Sequence, residues 1–288
     1  MVANNENDSD TNGTISPLCN LEQRELEKRL RESQQRETAL RAVNQRMEEF
    51  LGAASHELRT PLTTIKANIQ LAMRRLKPLA GKTNIDPEEI NGKVSAAQEM
   101  LTRAERQVGV LNRLVGDMID ISRIQADKLQ VHLRPEPCNL ISIIQEIIQE
   151  QRKATPERSI LVEMPTSAEI LVQVDPDRIG QVLTNYLSNA LKYSEAQYPV
   201  VIRLQHDEQS ARVSVQDEGP GLSSEEQKRV WECFYQAPDI HVVSGSGLGL
   251  GLGLYICQTI IARHSGQVGV DSVLDKGSTF WFTLPIVQ

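Results

Sequence analysis

The 288-residue chain predicts an α plus α/β architecture, in which a helical hairpin forms a four-helix bundle in a dimer and an α/β sandwich follows. Three observations predict it. Apolar residues recur in steps of three and four from Leu26 to Leu76 and again from Val94 to Met118, as in helices that bury a narrow seam. Pro78, Gly81, Asn84, Asp86, Pro87, Asn91 and Gly92 punctuate the stretch between them, as a connection does. From Leu140 onward helical stretches alternate with β-type runs, a pattern that suits helices on one face of a mixed sheet.

Residues 1–20 are rich in Asn, Asp, Ser and Thr and lack both a basic n-region and an apolar h-region. They read as disordered, and as neither a signal peptide nor an interfacial anchor. One long helix is expected from Leu21 to about Lys77. Its first part, 21–48, is a marginal coiled coil with Glu37 and Asn44 at seam positions. Such residues suit a signal-transmitting element and equally suit the fixing of register and oligomer state. A bundle domain spans 49–130, its second helix carrying Val94, Ala97, Leu101, Ala104, Val108, Leu111, Val115 and Met118. Each helix has a seam wider than one partner can cover, so pairing two hairpins in a homodimer is expected.

Residues 131–139, with Pro135 and Pro137, read as a linker to a second domain over 140–288. Helices are expected at Leu140 to Gln151, Asp177 to Tyr193, Glu225 to Phe234 and Leu252 to His264. Strands are expected at Ser159 to Glu163, Leu171 to Val174, Val200 to Gln205, Arg212 to Gln216, Gln267 to Ser272 and Ser278 to Leu284.

The net charge of −7 is moderate and basic residues are spread among acids, so no nucleic-acid footprint stands out. Apolar runs such as Ile143-Ile144 fall far short of the roughly 18 residues of a membrane span, and no direct membrane insertion is expected. Cys19, Cys138, Cys233 and Cys257 show no C-x-x-C spacing, which fits reduced thiols and a cytoplasmic location.

Within the first long helix stands Ser55-His56-Glu57-Leu58-Arg59-Thr60-Pro61-Leu62. The seam runs through Leu51, Ala54 and Leu58, which puts His56 at the outermost position, away from the core. A nucleophile and its base thus share one exposed helix face. After Leu58 the seam steps by four to Leu62, a stutter that relaxes the supercoil. Pro61 lies inside it and is expected to bend the helix.

In the second domain Asn185, Asn189 and Lys192 fall at i, i+4 and i+7, a polar stripe beside the apolar face of Ile179, Val182, Leu183, Tyr186 and Ala190. Two amides and an ammonium on one face can ligate a hard cation and contact phosphate, although solvated polar residues on a helix are commoner. Asp217-Glu218-Gly219-Pro220-Gly221 follows a strand, with glycines that let a ligand approach the backbone or simply make a turn. Gly245, Gly247, Gly249, Gly251 and Gly253 then alternate with small or apolar residues before a helix. That arrangement suits anion binding by free amides, and a flexible linker reads the same way. Gly277-Ser278-Thr279-Phe280 enters the last strand.

The His56 segment resembles the H-box of sensor histidine kinases. The later motifs, in this order, resemble the N, G1, F, G2 and G3 boxes of their ATP-binding domain, a Bergerat fold shared with DNA gyrase, Hsp90 and MutL. Together the likeness covers about Glu49 to Pro285. It implies that His56 is phosphorylated from ATP with Glu57 as its base, and that the phosphoryl group passes to an aspartate on the receiver domain of a response regulator. Thr60 matches the position that orients water for dephosphorylating the regulator, which implies a bifunctional kinase and phosphatase.

For the nucleotide, the resemblance implies ATP with Mg²⁺, Asn189 being the main metal ligand, Asn185 its support and Lys192 a phosphate contact. Tyr193 would stack on adenine and Asp217 would accept from its amino group. Gly219 and Gly221 would shape the pocket, Gln236 to Leu248 would form the lid, and Gly249, Gly251, Gly253 and Leu254 would lie beside the triphosphate, with Thr279 completing the site. The frame Gly245-Ser246-Gly247-Leu248-Gly249-Leu250 also matches; the later frame is preferred because Tyr255-Ile256 continues as the helix. Family members often carry Arg near the positions of Cys233 and Gln236, and this chain does not.

Two rival classes remain at this stage, a Bergerat ATPase working as a clamp and a dimeric scaffold without catalysis. No input domain fits before Leu21, which leaves a separate sensor protein, a small N-terminal contact or a longer parent chain as the source of the stimulus.

Overall fold

The structure, a computed structural model, describes residues 17–79, 86–134, 136–165, 169–238 and 249–287, with side chains in the first helix described at 28–38, 41, 45 and from 51 on. The seam positions Leu26, Leu40, Asn44 and Met47 and the expectation for residues 1–16 therefore lie outside the described residues. Helix α1 runs from Pro17 to Leu76, starting four residues before the expected point. Two compact units divide the chain, Met1–Gly52 and Ala53–Gln288. In the first, Leu30 is exposed and Glu37 pairs with Arg41 across one turn at 2.6 Å, a solvated contact worth a few tenths of a kcal/mol.

In the second unit α1 continues unbroken through Pro61, whose ring is buried. A 3-10 turn at Lys77–Leu79 ends it. Helix α2 (Pro87–Gln125) starts where Asp86 accepts from the Glu88 amide at 3.0 Å, with Pro87 in the first turn, where a missing N–H costs nothing. The two helices split their heptads. Ala97 and Ala104 are buried, as are Ala54 and Pro61 on α1. The adjacent lines Leu62, Ile69, Leu76 and Leu101, Val108, Val115 are exposed.

The second domain comprises strands β1 (Cys138–Asn139), β2 (Ile160–Glu163), β3 (Leu171–Val172), β4 (Val200–His206), β5 (Ser210–Gln216), β6 (Val268–Val273) and β7 (Gly277–Pro285), with helices α3 (Leu140–Ala154), α4 (Pro176–Tyr193), α5 (Ser224–Arg229) and α6 (Gly253–Arg263). The main sheet has the order β2-β4-β5-β7-β6. Only β2 and β4 run parallel; the other pairs are antiparallel. Alternate residues Val200, Ile202, Leu204 and Phe280, Phe282, Leu284 point inward, the period-2 pattern of a sheet with one buried face. Ile144, Ile179, Leu183, Leu187, Ile256 and Ile260 from α3, α4 and α6 cover that face, each contributing about 1.5–3 kcal/mol of apolar burial.

Three expectations need correction. The helix expected over Glu225 to Phe234 stops at Arg229, because Phe234 turns into left-handed backbone (φ 68) and its amide bonds the Gly251 carbonyl at 3.0 Å. The strand expected to reach Val174 ends at Val172, since the Val174 carbonyl accepts from Arg134 at 3.2 Å and Asp175 caps α4. The third concerns the linker, which is strapped down. The His132 amide bonds Asp175 at 2.9 Å, Leu129 is 1% exposed, and Cys138–Asn139 pair with Leu171–Val172 as a small sheet of their own. Above it, Asp120 on α2 accepts from Arg178 at 2.8 Å and Gln181 at 2.9 Å, both on α4.

Candidate functional site

Helix α4 carries the polar stripe because its opposite face is anchored. Asp175 caps it and Pro176 opens it. Tyr186 is 1% exposed and packs against Phe280 and Phe282 at ring-centroid distances of 5.7 and 6.1 Å. That anchoring turns Asn185, Asn189 and Lys192 toward a cavity of about 560 Å³. Asn189 Nδ2 donates to Asn185 Oδ1 at 3.1 Å, which leaves the Asn189 oxygen pointing away from its neighbour. Burial lowers the Lys192 ammonium to about 8, with Glu57 pulling it up and Arg113 pushing it down. Its Nζ lies 5.1 Å from the centre of the Tyr193 ring, and burial raises the Tyr193 hydroxyl.

Asp217 leaves β5 into the same cavity and is 5% exposed. Oδ1 accepts from the Gly219 amide at 2.8 Å and the Ser278 amide at 3.3 Å. Burial raises this carboxyl to about 6, and those two amides pull it back. Gly219 tucks under Tyr193, where an added Cβ would lie 2.9 Å from the Tyr193 carbonyl oxygen. Gly221 lines the cavity with its back to the Val273 carbonyl.

Gly249, Gly251, Gly253 and Leu254 also line it. At Gly251 the backbone is left-handed (φ 65), and a Cβ would sit 2.5 Å from the Tyr235 carbonyl oxygen, so only glycine fits. At Gly253, the first residue of α6, a Cβ would lie 2.0 Å from Asn185 Nδ2. A side chain at this turn would therefore have to displace the Asn185 amide. Among the described residues no side chain caps helix α6, so its first amides can meet an anion. The alternative frame at Gly245 and Gly247, and all but the first three residues of the lid expected over Gln236 to Leu248, lie outside the described residues.

Thr279 is not among the cavity walls; Ser278 and Phe280 are, because alternate residues of a strand face opposite sides.

The third wall comes from the bundle. Glu57, Thr60 and Pro61 of α1 and Arg106, Gln107, Val110, Arg113, Leu114 and Asp117 of α2 line the same cavity as Asn189 and Asp217. The His56 side chain is 77% exposed beside it, with Nδ1 3.9 Å from Glu57 Oε1. That is an ion-pair distance, longer than a hydrogen bond. The Thr60 hydroxyl donates to the His56 carbonyl at 3.2 Å, the local back-bond of a helical threonine.

Sequence reasoning missed the α2 face. Burial, with Asp120 adding to it and Arg113 opposing it, raises the Asp117 carboxyl to about 6. Residues 106, 110, 113, 114 and 117 fall on one helical face distinct from the heptad seam, and that polar interruption was the available signal.

An amide oxygen as sole protein donor, next to a phosphate-sized space, fits Mg²⁺, which keeps waters and substrate oxygens as its other ligands. Among the described residues no cluster of three His, Cys, Asp or Glu could hold a metal alone.

Residues 46–127 match the family model described as the His Kinase A (phospho-acceptor) domain. Residues 174–288 match the one described as histidine kinase-, DNA gyrase B- and HSP90-like ATPase. The chain is 31% identical over 240 residues to the adaptive-response sensory kinase SasA of Rippkaea orientalis, covering 83% of this chain and 58% of SasA. It is also 31% identical over 245 residues to the signal transduction histidine-protein kinase/phosphatase MprB of Mycolicibacterium smegmatis, covering 83% of this chain and 45% of MprB. The crystal structure of full-length ShkA in complex with AMPPNP superposes with a TM-score of 0.53 at 26% identity, over 84% of this chain and 46% of that one. The chain thus spans 45–58% of the length of the two curated relatives.

Proposed function

The chain belongs to the sensor histidine kinases of two-component systems, and from that premise we propose that it phosphorylates its own His56 from ATP. One observation carries the reading: a single cavity has walls from the phosphoacceptor turn (Glu57, Thr60) and from the nucleotide stripe (Asn185, Asn189, Lys192, Asp217). Adenine sits toward Asp217 and Tyr193, and the triphosphate toward Lys192 and the open end of α6.

An imidazole nitrogen of His56 attacks the γ-phosphorus with its lone pair. The bond from phosphorus to the bridging oxygen breaks, ADP leaves with that electron pair, and Glu57 takes the proton from the other ring nitrogen. The His56 imidazole is exposed and lies 3.9 Å from the Glu57 carboxylate, which is the carboxylate that would take this proton. Mg²⁺, when bound through the Asn189 amide oxygen, supplies charge neutralisation for phosphoryl transfer. Lys192, at about 8, keeps most of its positive charge at neutral pH.

The phosphoryl acceptor is an aspartate on a response-regulator receiver domain. Thr60, on the cavity wall, positions water for the reverse duty of dephosphorylation, in keeping with a relative named as a kinase/phosphatase. The bare heptad lines Leu62, Ile69, Leu76 and Leu101, Val108, Val115 support a homodimer in which two hairpins close a four-helix bundle. Among the described residues no helix is long and apolar enough to cross a membrane; a cytoplasmic site of action is part of the same proposal.

Incubating the chain and a His56→Gln variant with Mg²⁺ and γ-labelled ATP tests it. Acid-labile, alkali-stable label is expected on the wild type and absent from the variant. Full labelling of the variant would remove His56 from the mechanism. Steady ATP turnover without phosphoprotein would favour an ATPase clamp.

A further inference from the structure

The nucleotide domain is short of cations where a triphosphate needs them. Asn185 and Asn189 are neutral, and Lys192 sets one positive charge against a triphosphate. The segment after α5 offers no replacement. Gln236 spends its amide on the Gly249 carbonyl at 2.7 Å, and Cys233 is a half-buried thiol that burial raises to about 11. Arg229 stacks on Tyr235 at 4.3 Å and pairs with Glu232 at 3.7 Å. Residues 239–248 contain neither Lys nor Arg.

Among the described residues the remaining cations on the cavity wall are Arg106 and Arg113, both from bundle helix α2. Among the described residues neither guanidinium forms an ion pair or hydrogen bond, unlike Arg103, Arg178, Arg203, Arg212 and Arg263. Arg113 is the nearer in electrostatic terms, since its field reaches both Lys192 and Asp117.

We propose that Arg113 is a catalytic residue, its guanidinium pairing with the γ-phosphoryl oxygens as the phosphoryl group passes from ADP to His56. The proposal rests on the kinase reading above. Arginine suits the task because its planar fork can hold two phosphoryl oxygens and keeps its charge at any working pH. Its place on the bundle has a consequence. Charge neutralisation is complete only when bundle and nucleotide domain close on one cavity, so ATP held by an undocked domain stays unreactive. Asp117, one turn on, lines the same space, and the field of Arg113 reaches it.

The test compares wild type, Arg113→Ala and Arg113→Lys in the full chain. It uses labelling from γ-labelled ATP and calorimetric titration with ADP and with AMPPNP. Among the described residues Arg113 makes no hydrogen bond that its loss would break, so both variants are expected to fold. For Arg113→Ala the labelling rate is expected to fall by at least about a hundredfold, the scale of a lost transition-state guanidinium. ADP affinity should change less than about threefold, the preference for AMPPNP over ADP should be lost, and Arg113→Lys should recover part of both, because charge alone is retained. Unchanged labelling together with an unchanged preference for AMPPNP would overturn the proposal. Should the wild type take no label, the kinase reading fails by itself. The AMPPNP preference then still decides the arginine: its loss in Arg113→Ala supports a γ-phosphate contact, and its retention overturns it.

Discussion

Replacing Asp217 by Asn should make the protein more stable and a worse nucleotide binder. The carboxyl is 5% exposed, and burial raises it from the ordinary 3.8 to about 6. An acid whose folded value is raised is stabilising below its unfolded value, and that contribution is lost as pH climbs through the folded one. At about 1.4 kcal/mol per tenfold change in acidity, keeping Asp217 ionised at pH 7 costs about 3 kcal/mol. Asn removes the charge and keeps the oxygen that accepts from the Gly219 and Ser278 amides.

The Asn variant should therefore gain up to about 3 kcal/mol at pH 7, or roughly 6–10 °C in Tm for a domain of this size. The gain should shrink between pH 6 and 4 as the wild-type carboxyl takes up its proton. The same exchange presents an amide donor to the adenine amino group, so ADP affinity should fall on the order of 30-fold, about 2 kcal/mol. Thermal melts at pH 4, 5, 6 and 7, with ADP titration, read both effects. A variant that melts at or below wild type at pH 7, or with the same offset at pH 4 and 7, would refute the reasoning.

Two further outcomes follow from packing. Gly253→Ala drives a methyl into Asn185 and disturbs the bond that orients Asn189; with about 1–2 kcal/mol at stake, calorimetry should show nucleotide binding weakened about 5- to 30-fold while the fold melts near its wild-type temperature. Leu62→Asp combined with Val108→Asp places charges on the bare heptad lines, forfeiting about 1.5–3 kcal/mol of burial per side chain in each chain of the dimer. Analytical ultracentrifugation should then find monomer where the wild type sediments as dimer, and an unshifted dimer would place the contact elsewhere.

Periodic features were legible in the sequence because local geometry alone creates them. The heptads of α1 and α2, the i, i+4, i+7 stripe of Asn185, Asn189 and Lys192, and the strand alternation of β4 and β7 depend only on residues per turn or per pleat. Where long-range contacts intervene, reading failed. Phe234 gives up its helix because a carbonyl at Gly251 takes its amide. The linker's last residues become a strand because they pair antiparallel with Leu171–Val172, some thirty residues further along the chain. At Thr279 a motif names residues in order without saying which side of the pleat each faces, and the cavity wall takes Ser278 and Phe280.

By itself, then, the sequence determined the architecture, the exposed His56 and the amide stripe, all set by neighbours within a turn or two. Only the tertiary structure decided that α2 supplies Arg113 and Asp117 to the nucleotide cavity, that Gly253 abuts the Asn185 amide, and that burial raises Asp217 to about 6. Those properties depend on atoms far apart in the chain, whose distance, and with it their steric and electrostatic coupling, exists only once the helices and sheet have packed.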